Sequence, residues 1–344
     1  MATLSGVHTP GRRWSDRSYL RHRAVEPAQF ARVEEYTLAP GGRRVRLTAA
    51  DGFDVEVLPD RAMDLGNVLF RGVPLGFSTP ALTAAGPAGG VEGFARRFGA
   101  GLLTTCGLDH YGRPNHDGGQ DLPQHGTASE LVATGVRTAA EWRDGRYTLE
   151  VAGWMRQWRL FGEDLLWERT ISAELGGNRL RIRDAIANAG FAPWPHMVLY
   201  HMNFGYPLID AGTTVTVPAG TADPEPRDEW ARSGLESWGT IPAPRPNQPE
   251  RVFRHHLDPA GSGEIIVRNA GLGISAALTV DPRALPEVFQ WVSARSGTYA
   301  LGIEPGTTAT MEGRAEARAR GLLTELHPGE TRYYDLDLTV TFDH

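Results

Sequence analysis

Apolar and polar residues alternate along much of this chain with a period of two. The clearest run lies between Tyr334 and Phe342, where five apolar side chains alternate with aspartate and threonine. The same alternation recurs at residues 44–48, 53–57, 147–151 and 179–183. A strand of this kind buries one face and exposes the other, which is typical of antiparallel sheets. The pattern therefore predicts a protein built from antiparallel strands.

Turn signals separate these runs, among them Asp51-Gly52, Asp144-Gly145 and Gly176-Gly177. Only short helices fit the pattern, near residues 91–97 and 312–320. The sequence therefore predicts an all-β fold, a large antiparallel β-sandwich with few short helices. Because no repeat or sharp linker divides the chain, residues 1–344 are expected to form a single domain, with 1–30 as an N-terminal extension.

Two stretches interrupt the strand pattern: a Pro/Ala/Gly run at residues 79–90 and a Pro-rich segment at 218–250 that contains Trp230 and Trp238. A loop as long as the second is usually functional or disordered. The two tryptophans favour an ordered loop, placed either at the rim of a binding site or against the body of the protein as packing.

The charge and the cysteine content limit the kinds of binding partner and the cellular compartment that we expect for this protein. The net charge of −6 is spread along the chain, which argues against nucleic acid as the main partner. No apolar stretch approaches the ~20 residues that cross a bilayer, and no signal peptide is visible, so no membrane association is expected. The single cysteine, Cys106, cannot form an internal disulfide and is expected to be a small core residue. These features predict a cytoplasmic protein, and they leave its oligomeric state open.

All 35 basic residues are arginine, because the chain contains no lysine. Schiff-base aldolases, pyridoxal-phosphate enzymes and P-loop nucleotidases all require a lysine amine. The sequence excludes these three classes.

Three short segments concentrate side chains that could carry out chemistry. Residues 107–126 contain His110, His116 and His125, and residues 194–205 contain His196 and His201. In the third segment, residues 299–306, Glu304 ends an apolar strand. Burial of a carboxylate at such a position raises its pKa into a range suited to general-base work. Taken singly, Glu304 could equally be a turn residue and His201 a hydrogen-bonded core histidine.

Taken together, the segments resemble aldose 1-epimerases over roughly residues 35 to 342. The motifs that carry the resemblance are His125-Gly126, Asn188-Ala-Gly190, His201 with Phe204, Ile303-Glu304-Pro305 and Leu326-His-Pro-Gly-Glu330. The resemblance implies the galactose mutarotase-like form of the β-sandwich. It also implies an isomerase that interconverts the anomers of a monosaccharide or sugar derivative, with no metal and no cofactor.

The resemblance further implies roles for individual residues. Glu304 would be the general base and His201 the general acid, facing opposite sides of one sugar ring, and His125 would bind a hydroxyl near the ring oxygen. Further candidate substrate-binding residues are Arg61, Asp64, His196, Asn203 and Trp291. For Arg61 and Asp64 a surface salt bridge is an equal alternative, as is a core position for Trp291.

Two other functions remain open from the residues alone. His110, His116, Asp117 and His125 could hold a metal ion, as in a metal-dependent sugar isomerase or epimerase. Asn203 and Gly205 replace the Tyr and Asn of the family segment, which is compatible with a non-catalytic carbohydrate-binding protein on the same fold. The sugar and its anomer are also open. Whether the substrate is phosphorylated or acidic is open as well, because Arg61, Arg96, Arg97 and Arg113 could supply a phosphate clamp or could simply be surface residues.

Overall fold

The computed structural model describes residues 14, 16–38, 42–82, 93–218 and 223–343. Residues 1–13 and 15 of the predicted N-terminal extension lie outside the described residues. So do most of the Pro/Ala/Gly run, at 83–90, the first two residues of the helix predicted at 91–97, and residues 219–222 of the Pro-rich loop.

Twenty-five strands make up most of the described chain. The first ten are β1 Ala31–Thr37, β2 Arg43–Ala49, β3 Phe53–Leu58, β4 Asp64–Phe70, β5 Val73–Pro74, β6 Phe77–Ser78, β7 Ala100–Gly101, β8 Leu103–Cys106, β9 Asn115–Asp117 and β10 Gln120–Leu122. The next eight are β11 Thr134–Arg143, β12 Arg146–Trp158, β13 Asp164–Glu174, β14 Arg179–Asn188, β15 Trp194–His196, β16 Leu199–Gly205, β17 Thr214–Thr216 and β18 Glu225–Pro226. The last seven are β19 Arg251–His256, β20 Glu264–Asn269, β21 Ile274–Val280, β22 Glu287–Arg295, β23 Thr298–Gly306, β24 Thr324–Leu326 and β25 Thr331–Phe342.

The helices are short and lie between strands. The α-helices are α1 Arg17–Arg21, α2 Gly93–Arg97, α3 Glu229–Arg232 and α4 Arg314–Ala319, and the 3₁₀ turns are Pro27–Gln29, Pro80–Leu82, Ala128–Glu130 and Leu235–Ser237. Helices α2 and α4 confirm the two predicted from the sequence. Helices α1 and α3 were not predicted, because four or five residues are too few to show a helical period. Each instead begins at an aspartate, Asp16 or Asp228, whose side chain accepts a backbone N–H of the first turn.

The strands form three large sheets. Their strand orders are β1-β2-β3-β4-β5, β11-β12-β13-β14-β25-β21-β20-β17 and β18-β19-β22-β23-β16-β8. Neighbouring strands within each sheet run antiparallel. This architecture confirms the predicted all-β class and the large antiparallel sandwich. None of the helices in the described ranges has the length and apolar composition that a membrane crossing requires.

The eight-stranded sheet follows the alternation read from the sequence. In β14, buried residues alternate with partly or fully exposed ones along the whole strand. The connection between β11 and β12 is the predicted Asp144-Gly145 turn, whose φ angles of 48° and 81° match the right-handed twist of a tight hairpin. The inward-facing residues pack into one hydrophobic cluster, where each fully buried Leu, Ile or Val side chain contributes about 1.5–3 kcal/mol.

The six-stranded sheet is different, because its central strands are buried on both faces. All seven residues of β16 are buried, as are seven of the nine in β22 and the last seven in β23. The two exceptions in β22 are Trp291, which is partly exposed, and Arg295, which is exposed. One face of this sheet packs on the main core, and the other is covered by loops and by a second, smaller apolar cluster that includes Cys106, Leu199 and Phe289. Polar side chains on the covered face are therefore shielded from bulk solvent.

A buried arginine joins the three large sheets. Arg169 on β13 forms ion pairs with Asp64 at 2.8 Å and with Asp184 at 2.7 Å, and its Nη2 donates to Thr105 Oγ1 at 2.9 Å. Asp64 begins β4 of the five-stranded sheet, and Thr105 lies on β8 of the six-stranded sheet. Burial raises the pKa of Asp64 to about 6, and Arg169 opposes that rise. The network fixes the relative positions of the sheets around the core.

Candidate active site

His201 and Glu304 lie side by side on two neighbouring strands. Strands β16 and β23 pair antiparallel, with Leu199 opposite Gly306 and Met202 opposite Ile303. The same register brings His201 opposite Glu304, and His201 Nε2 lies 3.1 Å from Glu304 Oε1. Two residues about a hundred positions apart in the chain are therefore in direct contact.

This contact corrects one expectation from the sequence, namely that the two groups face opposite sides of a sugar ring. Directly opposed residues of an antiparallel pair project from the same face of the sheet. His201 and Glu304 consequently share one wall of the site.

Burial sets the protonation state of the pair. Glu304 is 1% exposed and His201 is 5% exposed. Burial raises the pKa of Glu304 well above its usual value, with a further rise from the charge of Glu250. Burial lowers the pKa of His201 to about 3. Both shifts favour the uncharged forms of the two groups, a protonated Glu304 carboxyl and a neutral His201 imidazole.

The pair opens into a cavity of about 520 Å³. Its polar lining consists of Arg113, Gln124, His125, His201, Arg227, Glu250, Glu304 and Glu312. Glu304 Oε2 is buried and forms no hydrogen bond with the described part of the chain, so a carboxylate oxygen remains available beside the cavity. The volume lies within the usual range for small-molecule sites.

Aromatic rings surround the pair. The ring of His201 lies 5.3 Å from that of Phe98 and 5.6 Å from that of Trp291, between centroids. Phe94 on α2 lies 4.5 Å from His125. Apolar ring faces exclude water and offer a surface for the C–H groups of a ligand. Trp291 is only partly buried and lines the cavity. It therefore does not occupy the core position that was the alternative interpretation.

His125 reaches the cavity from a tight turn. Its φ is 61°, and its ring centroid lies 6.1 Å from that of His201. The next residue, Gly126, has a φ of 70°, and a Cβ there would lie 2.4 Å from the carbonyl oxygen of His110, so the turn requires glycine. Burial lowers the pKa of His125 to about 4, and the neighbouring His110 adds to this. His125 is therefore neutral at neutral pH and suited to hydrogen-bonding a hydroxyl.

A buried arginine that was not predicted holds the loop carrying His125. Arg314 on α4 forms ion pairs with Asp109 at 2.7 Å and with Asp117 at 2.8 Å, and its backbone N–H donates to His110 Nδ1 at 3.1 Å. Nothing in the sequence signals this role, because Arg314 is one of two arginines that lie four positions apart in a short helix.

The same contacts bear on the metal alternative. His110 and Asp117 are engaged by Arg314, and His116 points to solvent with its Nδ1 2.8 Å from Asp121. Among the residues that the structure describes, no three His, Cys, Asp or Glu side chains are grouped as a metal site would need. The loop thus provides no shared ligand set for His110, His116 and His125.

Arg61 and Asp64 do not line the cavity, and their predicted role as sugar ligands is replaced by a structural one. Arg61 donates to the carbonyl oxygens of Ala81 at 2.6 Å and Arg97 at 3.3 Å. Asp64 accepts from Thr105 and pairs with Arg169 in the network between the sheets. The alternative interpretation of these two residues is a surface salt bridge. Asp64 does form a salt bridge, but its partner is Arg169 and the contact is buried.

His196 and Asn203 also lie away from the cavity. His196 is fully buried, and its Nε2 lies 2.6 Å from the hydroxyl of Tyr334 in the main core. Asn203 is fully buried behind His201, where its Nδ2 donates to the carbonyl oxygen of His201 at 2.8 Å. Neither side chain reaches a ligand in the cavity, so both are corrected from sugar ligands to supporting residues.

The four arginines considered for a phosphate site do not form one cluster at the cavity, although Arg61 and Arg97 are neighbours. Arg97 pairs with Glu130, and Arg61 binds backbone carbonyls. Of the four, only Arg113 lines the cavity, where its guanidinium lies 3.3 Å from Glu312.

The Pro-rich segment contributes two cavity residues that sequence reasoning missed. Arg227 pairs with Glu250 at 3.0 Å, and Trp291 Nε1 donates to the second oxygen of Glu250 at 2.7 Å. The segment therefore lies at the rim of the site, the functional alternative stated for it. The two tryptophans drew attention to this segment, but Trp230 and Trp238 themselves are not among the cavity residues.

Gly302 is a further residue that the site requires. A Cβ at this position would lie 2.5 Å from Glu304 Oε1 and 3.1 Å from both His201 Cε1 and Trp291 Cβ. We expect Gly302→Ala to displace the pair and to lower the activity of the site on the order of 10²-fold, the usual effect of misplacing reacting groups. Steady-state rates, measured once a substrate is identified, would quantify the loss.

Gly271→Ala is the matched control for Gly302→Ala. Gly271 lies in an exposed turn, where an added Cβ would meet only the end of the Asn269 side chain, at 3.3 Å. Equal activity of the two alanine variants, with both folded, would contradict the proposed role of Gly302.

Comparison with solved structures shows the fold. A provisionally assigned aldose 1-epimerase from Klebsiella pneumoniae superposes with a TM-score of 0.82 at 24% identity, covering 90% of this chain and 83% of the other. A galactose mutarotase-like protein from Clostridium acetobutylicum gives 0.64 at 14% identity, covering 91% and 99%. A galactose 1-epimerase from Lactobacillus acidophilus gives 0.57 at 11% identity, covering 91% and 99%.

A family model provides a match at the level of sequence. Residues 39–340 match the family described as Domain of unknown function (DUF4432), whereas no curated protein matches the chain. The matched range contains His125, His201 and Glu304 together with every strand of the three large sheets except β1 and the last two residues of β25. The chain therefore belongs to the DUF4432 family and has the galactose mutarotase-like fold.

Proposed function

We propose that this protein is an aldose 1-epimerase-like isomerase that interconverts the anomers of a sugar. The observation that carries the proposal is the His201–Glu304 pair, whose Nε2 and Oε1 lie 3.1 Å apart and which leaves a second carboxylate oxygen beside the cavity. The resemblance of the motifs around both residues and the fold shared with mutarotase-like proteins support it.

The reaction requires two proton transfers, one at each of the two oxygens bonded to C1. When the shared proton lies on His201 Nε2, the Glu304 carboxylate accepts the proton of the anomeric hydroxyl, and Nε2 donates its proton to the ring oxygen. The bond between C1 and the ring oxygen breaks, and C1 becomes the aldehyde carbon. Rotation about the C1–C2 bond, followed by the reverse transfers, closes the ring as the other anomer. The pair holds one proton before and after each step.

A contacting pair suits this chemistry better than two groups on opposite sides of the ring. The anomeric oxygen and the ring oxygen are both bonded to C1, so they are neighbours in the substrate. Two proton-transfer groups 3.1 Å apart can therefore address both oxygens at once. Positioned acid–base groups of this kind each contribute about 10²–10⁴-fold.

The other cavity residues bind and orient the sugar. His125, neutral because burial lowers its pKa to about 4, offers hydrogen bonds to a hydroxyl near the ring oxygen. Trp291 is held by Glu250 through its indole N–H and presents a ring to the C–H face of the sugar. These residues supply positioning, while His201 and Glu304 move the protons.

Saturation-transfer NMR on fresh sugar anomers tests the proposal. A panel of neutral, acidic and phosphorylated aldoses is compared with and without the purified protein, and polarimetry provides a second readout. We expect exchange between the α and β anomers of at least one sugar to be faster than in buffer. Heat-denatured protein is the control for adventitious catalysis.

Two other outcomes separate the alternatives. A sugar that binds in calorimetry with no acceleration of anomer exchange would favour a carbohydrate-binding protein. Catalysis that is lost with a chelator and restored by a divalent metal would favour a metal-dependent isomerase. Either result would contradict the acid–base mechanism proposed for His201 and Glu304.

A further inference from the structure

The imidazole of His201 has a second nitrogen, on the side away from Glu304. His201 Nδ1 and Asn203 Oδ1 are both buried, and neither has a hydrogen-bond partner within the described chain. Residues 201 and 203 lie two apart on strand β16, so their side chains project from the same face of the sheet. The two unpartnered atoms therefore belong to neighbouring groups on one side of the strand.

The orientation of the Asn203 amide decides what it offers to the ring. Its Nδ2 is committed to the carbonyl oxygen of His201 at 2.8 Å, so its Oδ1 is the atom left for Nδ1. An amide oxygen only accepts hydrogen bonds, and a neutral imidazole carries one N–H. An acceptor beside Nδ1 therefore favours the tautomer with hydrogen on Nδ1 and a lone pair on Nε2. Burial lowers the pKa of His201, and the Asn203 side chain partly opposes this, as expected of an acceptor that faces the ring.

We infer that Asn203 is a positioning residue that holds His201 in the Nδ1–H tautomer, so that Nε2 is the nitrogen that exchanges protons with Glu304 and the substrate. The inference rests on the proposed function only for its catalytic consequence, because the tautomer itself is a property of the free protein. Nδ1 keeps its proton throughout, and Nε2 alternates between accepting from and donating to Glu304 or the ring oxygen. This positioning role differs from the sugar-binding role that the sequence predicts for Asn203.

Gly302 makes room for this arrangement from the adjacent strand. Asn203 lies directly opposite Gly302 in the register of β16 and β23. A side chain at 302 would meet both Glu304 Oε1 and His201 Cε1, as described above. The imidazole thus lies between an amide on its own strand and Glu304 on the next strand, and the glycine leaves space for all three groups.

Nitrogen NMR on the substrate-free protein tests the tautomer directly. Long-range ¹H–¹⁵N correlations of histidine-labelled protein distinguish a protonated from an unprotonated ring nitrogen, and His201→Gln identifies the His201 signals by their loss. We expect wild-type His201 to show hydrogen on Nδ1 and none on Nε2 in its neutral form. In Asn203→Ala we expect this preference to be lost, with His255, bonded to Gln290 at 3.0 Å, as an unchanged internal reference.

Hydrogen on Nε2 of neutral wild-type His201 would overturn the inference, and so would an unchanged tautomer in a folded Asn203→Ala variant. The wild-type spectrum tests the tautomer even if the variant does not fold.

Once a substrate is known, Asn203→Ala should lower kcat on the order of 10²-fold with little change in KM. Asn203→Asp, which keeps an acceptor at Nδ1, should restore the tautomer. The expected tautomer in a protein that accelerates no anomer exchange would leave the inference standing and would contradict the proposed function alone.

Discussion

Replacing Glu304 by glutamine is expected to slow catalysed anomer exchange by about 10²–10⁴-fold, the usual contribution of a positioned acid–base group. Glutamine keeps the size of the side chain and can still hydrogen-bond to His201 Nε2, but it can neither accept the hydroxyl proton nor share one with the imidazole. Sugar affinity should change little, because the aromatic walls and His125 remain. Saturation-transfer rates and calorimetric affinities, measured on the same preparation, separate the two effects.

His201→Asn should give a loss of similar size, because the two residues act as one proton-sharing unit. For the same reason the double variant should be little slower than either single variant. If either variant exchanged anomers as fast as the wild type, the residue assignment would be wrong even with the fold and the family unchanged.

Glu287→Gln is the matched control for Glu304→Gln. Glu287 is also a buried glutamate of the six-stranded sheet, at 4% exposure. Its two oxygens are fully engaged, with Arg254 at 2.8 Å and His256 at 2.9 Å. The substitution should lower stability, because it weakens two charged contacts, and should leave the rate of anomer exchange within about twofold of the wild type, since the residue moves no proton in the mechanism. A loss equal to that of Glu304→Gln would mean that the assay reports on folding and not on proton transfer.

The sequence predicts those strands that expose one face to solvent. Strands β14 and β25 alternate along their length, so their period of two identifies them directly. Strands β16 and β23 have no such alternation, because loops cover the second face of their sheet. The apolar runs ending at Tyr200 and Ile303 indicated buried segments but not the pairing between them. That pairing depends on a register across about a hundred intervening residues.

The sequence predicts those site residues whose ionisable side chains lie within otherwise apolar strands. Glu304 at the end of an apolar strand and His201 within one are such conflicts, whereas Arg227 and Glu250 look like ordinary charges in a Pro-rich loop. Gly302 did carry a signal, because an isolated glycine inside a strand often marks a close approach by another group.

Asp64 was misassigned because its sequence neighbours do not reveal its partner. It follows a strand and a turn, as a ligand-binding carboxylate often does, but the cation that faces it is Arg169, more than a hundred residues away. Burial of a charge is favourable only when it is paired, and the pairing is tertiary. The sequence shows the charge and not the geometry that neutralises it.

Arg169→Met is expected to lower the free energy of unfolding by about 5 kcal/mol, the upper end of the range for breaking a buried ion pair. The substitution leaves both Asp64 and Asp184 in the core without the cation that faces them, and Thr105 Oγ1 loses a donor. Because these residues belong to three sheets, the loss should affect global unfolding and not one element alone. Urea denaturation, with the slope of the transition checked against the wild type, measures the change.

Two comparisons show whether the effect arises from uncompensated buried charge. Combining Arg169→Met with Asp64→Asn and Asp184→Asn removes the charges together and should recover a large part of the loss, since a whole buried network can often be neutralised at little net cost. Arg46→Met removes a two-point contact with Asp54 that is largely solvent-exposed, and it should change stability by no more than about 1 kcal/mol. If Arg169→Met were as mild as Arg46→Met, the network could not be what fixes the three sheets, and the positions of β8 and β16 beneath the cavity would depend on apolar packing alone.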